Sequence, residues 1–138
     1  MESLIKSAGL EDRIQVDSAG TSDCHIGDPA DRRAQETARD MGLTIKHRGR
    51  QLKAKDLDAF DYVIAMDQYN LKDIQMLAGA ALHRAQIRLL RDFDREAGED
   101  RDVPDPYYGE SDGFRRVFDI CMRGCKGLLQ EIRATHDI

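Results

Sequence analysis

A run of five apolar residues, Tyr62-Val63-Ile64-Ala65-Met66, constrains the fold more than any other feature of this chain. The run is continuous rather than alternating, which indicates a β-strand that is covered on both faces. Two further runs, Ile14 to Ser18 and Ile87 to Leu90, are also predicted to be strands. We therefore expect the α/β class, with a parallel sheet flanked by helices.

Helical patterns lie between and after the predicted strands. An alanine stripe indicates a helix that ends before Gly42, and Asp67 is suited to cap the N-terminus of a second helix. A long apolar stripe from Phe114 to Ile132 predicts the last helix. A short helix is predicted at the start of the chain and ends near Gly9. This alternation of helices with strands supports the parallel arrangement.

Composition excludes several classes of protein. The 138 residues form one domain, 1–138, and their net charge of −5 argues against a nucleic-acid partner. No apolar run approaches the roughly 20 residues that span a membrane, and no secretory signal is visible at the start of the sequence. Three cysteines and four histidines show no zinc spacing. We expect a cytoplasmic monomer without a metal or other cofactor.

Polar loops are predicted to meet at one edge of the sheet. Ligands of parallel sheets bind beyond the carboxyl ends of the strands. The segments at that position are residues 17–22, 67–70 and 103–109. We expect these three loops to converge on one site.

Asp105 is the candidate general acid in the third loop. Pro104 and Pro106 restrict the backbone around it, so its carboxyl group is held on a stiff segment. Tyr107 and Tyr108 follow directly and offer apolar walls with polar tips. A positioned carboxyl group beside aromatic surface suits general acid catalysis. The alternative is a proline-fixed turn whose tyrosines pack at the edge of the core.

Four segments resemble those of the low-molecular-weight protein tyrosine phosphatases, and they keep that family's order and approximate spacing. They are Asp105-Pro106-Tyr107-Tyr108-Gly109, Val16-Asp17-Ser18-Ala19-Gly20-Thr21, His47-Arg48-Gly49-Arg50-Gln51, and Phe60 to Asp67 with Asn70. In the third of these, Gly49 occupies the position of the family's usual alanine. The resemblance implies the phosphotyrosine phosphatase fold over the whole chain.

The resemblance also implies a mechanism. In this family a cysteine thiolate in a Cys-x5-Arg loop attacks phosphorus, while the loop's N–H groups and arginine hold the phosphate. An aspartate protonates the leaving phenolate and then activates the water that hydrolyses the phosphocysteine. By position, Asp105 has that role here.

Further site residues follow from the same resemblance. Tyr107, Tyr108 and Cys24 are expected to contact the substrate, and Cys24 occupies a position where the family commonly has a tryptophan or tyrosine. Ser18 and His47 match positions of a hydrogen-bond network behind the phosphate loop. Taken alone, each of these five residues also has an ordinary structural or solvent-exposed interpretation.

The chain departs from the family in one respect: it contains no Cys-x5-Arg. The sixth residues after Cys24, Cys121 and Cys125 are alanine, glycine and glutamate. The resemblance implies that the first central strand, between the strands ending at Ser18 and Met66, is missing together with the nucleophile loop. We expect an incomplete domain without turnover, explained by a start codon assigned too late or by a truncated product.

The leading functional hypothesis is a protein tyrosine phosphatase acting on tyrosine-phosphorylated proteins or small aryl phosphates. An arsenate reductase on the same fold is an alternative, but it needs additional redox cysteines. A non-catalytic, phosphatase-like binding protein is another, and retention of Asp105, Ser18 and His47 counts mildly against it.

Overall fold

Helices and two short strands make up the fold in a computed structural model that describes residues 1–106 and 111–138. In chain order the elements are α1 (Glu2–Ser7), α2 (Arg32–Asp40), α3 (Asp56–Ala59), β1 (Tyr62–Ala65), α4 (Gln68–Ala78), β2 (Gln86–Leu89), a 3₁₀ helix (Leu90–Phe93) and α5 (Ser111–His136). The predicted α/β class is confirmed. No helix in these two ranges is both long enough and apolar enough to cross a membrane.

The sheet of the described residues consists of β1 and β2, which run parallel. Tyr62 pairs with Gln86 and Ala65 pairs with Leu89. Both strands confirm the sequence prediction to within one residue at each end. Leu90 was predicted to end the second strand but instead begins the 3₁₀ helix.

Both faces of β1 are covered. Tyr62 and Ile64 pack against a cluster formed largely by α5, whose buried members include Ile120, Leu128 and Ile132. Ala65 belongs to a second cluster on the opposite face, and Val63 packs against it. The other buried residues of this cluster come from α3, α4 and β2: Leu57, Ile74 and Leu89. Successive side chains of a strand point to opposite faces, so this division follows from the alternation of the backbone. The apolar residues of β1 thus contact a hydrophobic cluster on each face, although only Ala65 is fully buried.

The predicted strand from Ile14 to Ser18 is wrong. Residues 14–19 have no regular secondary structure, and Gly20 forms only an isolated bridge with Gln51. A strand requires a hydrogen-bonded neighbour, and the described part of the chain places none along this segment. Its composition suits a strand, but composition alone does not supply a pairing partner.

Helix α5 approaches the 3₁₀ helix closely at a glycine. A Cβ atom on Gly127 would overlap the carbonyl oxygen of Phe93 and lie 2.8 Å from its carbonyl carbon. Gly124, one turn earlier, faces the side chain of Leu90, whose Cγ would lie 2.6 Å from an added Cβ. Small residues at these two positions let α5 fix the start of the connection that leads to Asp105.

His83 joins the end of α4 to α3. Its Nδ1 lies 3.1 Å from Oδ1 of Asp58, and its Nε2 lies 2.9 Å from the carbonyl oxygen of Ala78. Both partners are hydrogen-bond acceptors, so a doubly protonated ring satisfies both contacts. The carbonyl of Ala78, and then the carboxylate of Asp58, raise the pKa of His83.

Candidate active site

The first two predicted loops meet at the carboxyl end of β1. Asp67 caps α4, because its Oδ1 accepts a hydrogen bond of 2.8 Å from the main-chain N–H of Asn70. This cap directs the Asn70 side chain to the loop of residues 17–22, where its Nδ2 donates to Oγ1 of Thr21 at 3.5 Å. The predicted N-cap is confirmed, and the predicted meeting of these loops is observed.

The third loop reaches the same edge through main-chain contacts. The N–H of Val103 donates to the carbonyl oxygen of Met66 at 2.8 Å. The carboxylate of Asp102 accepts a hydrogen bond of 2.9 Å from the N–H of Gln68 in the first turn of α4. Because Met66 ends the apolar run of β1, this loop is fixed to the strand's carboxyl end.

Asp105 follows Val103 by two residues and lies on this fixed loop. It is exposed to solvent, as a group that exchanges protons with a bound substrate and with water must be. Tyr107 and Tyr108 lie outside the described residues. The structure therefore places the candidate acid at the predicted edge of the sheet, and the roles of the two tyrosines remain predictions.

Ser18 and His47 each contact a neighbouring carboxylate. The main-chain N–H of Ser18 donates to Oδ1 of Asp17 at 2.8 Å, whereas Nε2 of His47 lies 3.0 Å from a carboxylate oxygen of Glu2 in α1. Within the described ranges, no hydrogen bond joins Ser18 to His47. Cys24 is exposed. The hydrogen-bond network and the substrate contact of Cys24 remain predictions.

Arg50 organises the first loop, a role that sequence reasoning missed. Its Nε donates to Oδ2 of Asp17 at 2.9 Å, and its Nη1 donates to Oδ2 of Asp56 at 3.0 Å. The main-chain carbonyl of Arg50 also accepts the N–H of Gly20 at 2.8 Å. One residue thus holds the 17–22 loop against α3 through both its side chain and its backbone.

The charge state of Asp56 reflects this arrangement. Burial acts to raise the pKa of its carboxyl group, but the guanidinium of Arg50 and the main-chain N–H of Lys53 outweigh burial. The net effect is a lowered pKa, so Asp56 remains ionised and Arg50 stays paired. Asp56 reciprocally raises the pKa of Arg50.

Gly49 accommodates a turn that lies directly against it. The N–H of Gly27 donates to the carbonyl oxygen of Gly49 at 2.7 Å. The N–H of Gly49 donates to the carbonyl oxygen of Asp28 at 2.8 Å. A Cβ atom on Gly49 would overlap the carbonyl oxygen of His25 and lie 3.0 Å from its carbonyl carbon. The glycine found in place of the family's alanine is thereby explained: this turn, which follows Cys24, leaves no room for a methyl group.

Comparison with known proteins assigns the chain to a family. A model of the low molecular weight phosphotyrosine protein phosphatases matches residues 1–137. The chain belongs to this family. A low molecular weight protein-tyrosine-phosphatase of Streptomyces coelicolor is 38% identical over 130 residues, which cover 94% of this chain and 79% of the relative.

Solved structures agree with the family assignment. A protein tyrosine phosphatase of Entamoeba histolytica, crystallised with Hepes in its active site, has 30% identity and a TM-score of 0.91. The match covers 98% of this chain and 85% of that one. A Drosophila arginine phosphatase has 29% identity and a TM-score of 0.87, covering 96% and 83% of the two chains. The family and its fold are thus shown by sequence and by structure.

The cysteines of this phosphatase-family chain are not arranged as its family's nucleophile. Cys121 lies on α5, where burial, together with the neighbouring Cys125, raises the pKa of its thiol to about 11. Such a thiol is protonated at neutral pH and is a poor nucleophile.

Across residues 1–106 and 111–138, no cluster of three histidine, cysteine or acidic side chains is arranged to hold a metal ion.

Proposed function

We propose that this chain carries the acid half of a protein tyrosine phosphatase site, with Asp105 as the general acid and base. The observation that carries the proposal is the attachment of the Asp105 loop to the carboxyl end of β1 through Val103 and Asp102. At the same edge, Asn70 contacts the loop that contains Ser18. In a parallel sheet this edge is where ligands bind.

The reaction needs both a thiolate and Asp105. Attack of the thiolate on phosphorus forms an S–P bond as the P–O bond to the phenol breaks, and Asp105 gives its proton to the departing oxygen. Asp105 then takes a proton from water, whose oxygen attacks phosphorus and releases phosphate and the thiolate. Tyr107, Tyr108 and Cys24 are proposed to contact the aryl group of the substrate.

The 138 residues contain no Cys-x5-Arg, so we propose that they do not hydrolyse phosphomonoesters on their own. Neither a thiolate nor a phosphate-binding arginine is available at the predicted spacing. Without the thiolate and the arginine, no phosphocysteine forms, and Asp105 has no intermediate whose hydrolysis it could assist. A Cys-x5-Arg segment supplied to this chain should complete the site.

A chimera tests the proposal. A segment with the family's first strand and its Cys-x5-Arg loop is joined ahead of Met1, and hydrolysis of p-nitrophenyl phosphate is measured for the chimera and for the chain alone. We expect turnover in the chimera only. Replacing its loop cysteine by serine should abolish turnover, and Asp105→Asn should lower kcat by about 10²–10⁴, as expected for loss of a general acid.

Two results would contradict the proposal. A folded chimera without turnover would remove the phosphatase assignment of this site, and activity that is indifferent to Asp105→Asn would remove the role of that residue. Tight binding of a phosphotyrosyl peptide by the chain alone would favour a binding protein instead.

The substrate class is proposed to be tyrosine-phosphorylated protein, handled by a monomer in the cytoplasm. Because one structural neighbour is an arginine phosphatase, the chimera should also be assayed on phosphoarginine. A kcat/KM for phosphotyrosyl peptide that exceeds the value for phosphoarginine supports the proposed class. Sedimentation of the chain at a mass above 15.6 kDa would contradict the monomer.

A further inference from the structure

Two arginines close the connection that leads from the 3₁₀ helix to Asp105. Nη1 of Arg91, in the 3₁₀ helix, donates to the carbonyl oxygen of Asp102 at 3.0 Å. Nη1 of Arg101 donates to the carbonyl oxygen of Arg91 at 3.2 Å. Each arginine thus bonds to the main chain at or beside the other, so the two ends of the connection are held together. The chain continues from this closure through Val103 to Asp105.

Arg91 is a buried arginine whose orientation is fixed. It is 8% exposed, and its Nε lies 3.4 Å from Oδ2 of Asp94, whose side chain is wholly buried. The other carboxylate oxygen of Asp94 accepts hydrogen bonds from the N–H of Glu96 at 3.0 Å and from Nε of Arg123 at 3.2 Å. Burial acts to raise the pKa of Asp94, but the N–H of Glu96 and the guanidinium of Arg123 outweigh burial, and the pKa is lowered. A fixed, ionised carboxylate therefore orients the guanidinium of Arg91.

Stability alone does not account for the pair of Arg91 and Asp94. Replacement of a buried ion pair by apolar residues of similar volume is often neutral or stabilising. Among the described residues, the facing Nε and Oδ2 atoms of this pair make no hydrogen bond, and the hydrogen bond of the guanidinium goes to Asp102. An apolar side chain could not donate that bond, and a lysine ammonium lacks the planar fork that serves both partners. The arrangement fits a device that places the main chain at residue 102.

Residue 102 is the point at which the position of the acid loop is set. The carboxylate of Asp102 accepts the N–H of Gln68 at 2.9 Å, and the N–H of Val103 donates to the carbonyl oxygen of Met66 at 2.8 Å. Those contacts hold the loop against β1 and α4, and Arg91 holds it from the side of the 3₁₀ helix. A general acid must reach hydrogen-bond distance of the leaving oxygen, and a misplacement of about 1 Å can cost about 10² in rate.

We propose that Arg91 is a positioning residue for the general acid, and that its bond to the Asp102 carbonyl sets where Asp105 stands relative to the leaving oxygen of the substrate. In this role Arg91 touches neither the substrate nor the reacting atoms and acts only through Asp105. The inference rests on the proposed phosphatase function and adds a residue to it. Loss of Arg91 should therefore impair proton transfer to the leaving group more than it impairs binding of the phosphate.

Arg91→Lys tests the proposal in the active chimera described above, because it keeps a cation beside Asp94 and removes the fork. Phenolate is a poorer leaving group than p-nitrophenolate and depends more on protonation. We expect kcat/KM to fall by about tenfold for phenyl phosphate and by less than about threefold for p-nitrophenyl phosphate. Arg95→Lys is the matched control, since it makes the same change at an exposed residue of the same connection, and it should leave both values unchanged. In an Asp105→Asn background, Arg91→Lys should have no further effect on either ester, because the two residues act as one unit.

Hydrogen exchange tests the placement in the 138-residue chain itself, without turnover. Arg91→Lys should speed exchange of the N–H groups of Gln68 and Val103, whose hydrogen bonds hold the loop, and should leave exchange in the middle of α5 unchanged. Arg95→Lys should change neither. Faster exchange throughout the chain would show a general loss of stability and would overturn a positioning role.

The outcomes separate this inference from the proposed function. A folded parent chimera without turnover would overturn the proposed function, and with it the catalytic role of Arg91. An active parent chimera in which Arg91→Lys lowers kcat/KM equally for both esters would overturn the role of Arg91 alone. So would an undiminished effect of Arg91→Lys in the Asp105→Asn background, or unchanged exchange at Gln68 and Val103.

Discussion

Replacing Gly127 by alanine perturbs the contact between α5 and the 3₁₀ helix that leads towards Asp105. The new methyl group would overlap the carbonyl oxygen of Phe93, with the carbonyl carbon 2.8 Å away. These are main-chain atoms and cannot rotate aside, so α5 and the 3₁₀ helix must move apart. Gly113→Ala is the matched control, because an added Cβ there would meet Pro106 at an ordinary 3.7 Å.

Two opposing effects set the magnitude. Alanine in place of glycine inside a helix adds about 1 kcal/mol through helix propensity. Overpacking a core contact costs about 1–3 kcal/mol, and a clash with backbone belongs at or above the upper end of that range. We expect Gly127→Ala to lower the free energy of unfolding by about 2 kcal/mol, which corresponds to a decrease of about 8 °C in Tm for a domain of this length.

Thermal and urea unfolding, followed by circular dichroism, measure both variants against the parent chain. Gly113→Ala should unfold at the same temperature as the parent or slightly above it. If Gly127→Ala also unfolds at or above the parent Tm, the close packing of α5 on the 3₁₀ helix is wrong.

Three further predictions concern the first loop and its surroundings. Gly49→Ala should lower the free energy of unfolding by about 1–3 kcal/mol, because the added methyl group meets main-chain atoms. Gly20→Ala is the control and should cost much less, since the nearest atom to an added Cβ there is 3.7 Å away. Equal losses of stability for the two variants in urea unfolding would contradict this prediction. Asp56→Asn should cost about 1–3 kcal/mol at pH 7 by weakening the pair with Arg50. Since the pKa of Asp56 is lowered, that stability is present above about pH 4 and is lost as the pH falls through the lowered value; a parent and variant with the same acid titration of Tm would refute it. The raised pKa of His83 means that its contribution is complete below about pH 6.5 and is lost as the pH rises through the folded value, so Tm measured from pH 5 to 9 should fall more for the parent than for His83→Gln.

Local patterns in the sequence predict the parts of the fold that depend on local physics. The run at Tyr62–Ala65 is apolar at every position because each face packs on a hydrophobic cluster, and Asp67 caps α4 with its own side chain. The segment at Ile14 has two apolar residues in alternation, Ile14 and Val16, but no strand lies beside it in the described residues, because pairing is decided by distant parts of the chain. Helix α3 escapes prediction because four residues carry too little periodicity.

The candidate site likewise has some contacts that the sequence predicts and others that it does not. The approach of Val103 to Met66 follows from the geometry of parallel strands, because both residues come after the carboxyl ends of paired strands. The approach of residues 17–22 to the same edge does not follow from it, because the strand predicted before them is not formed. The Arg50 pairs with Asp17 and Asp56 join residues 33 and 6 positions apart, and no sequence pattern distinguishes them from solvent-exposed charges. The close contact of Gly49 with the turn after Cys24 is likewise visible only in three dimensions.

Hydrolysis of p-nitrophenyl phosphate by the purified 138-residue chain, at mildly acidic pH beside its Asp105→Ala variant, tests the central claim most directly. The claim is that Asp105 is an acid that requires a Cys-x5-Arg nucleophile absent from these residues. We predict no turnover by the chain above that of the variant. Turnover that disappears in Asp105→Ala would mean that another group attacks phosphorus and would contradict the claim.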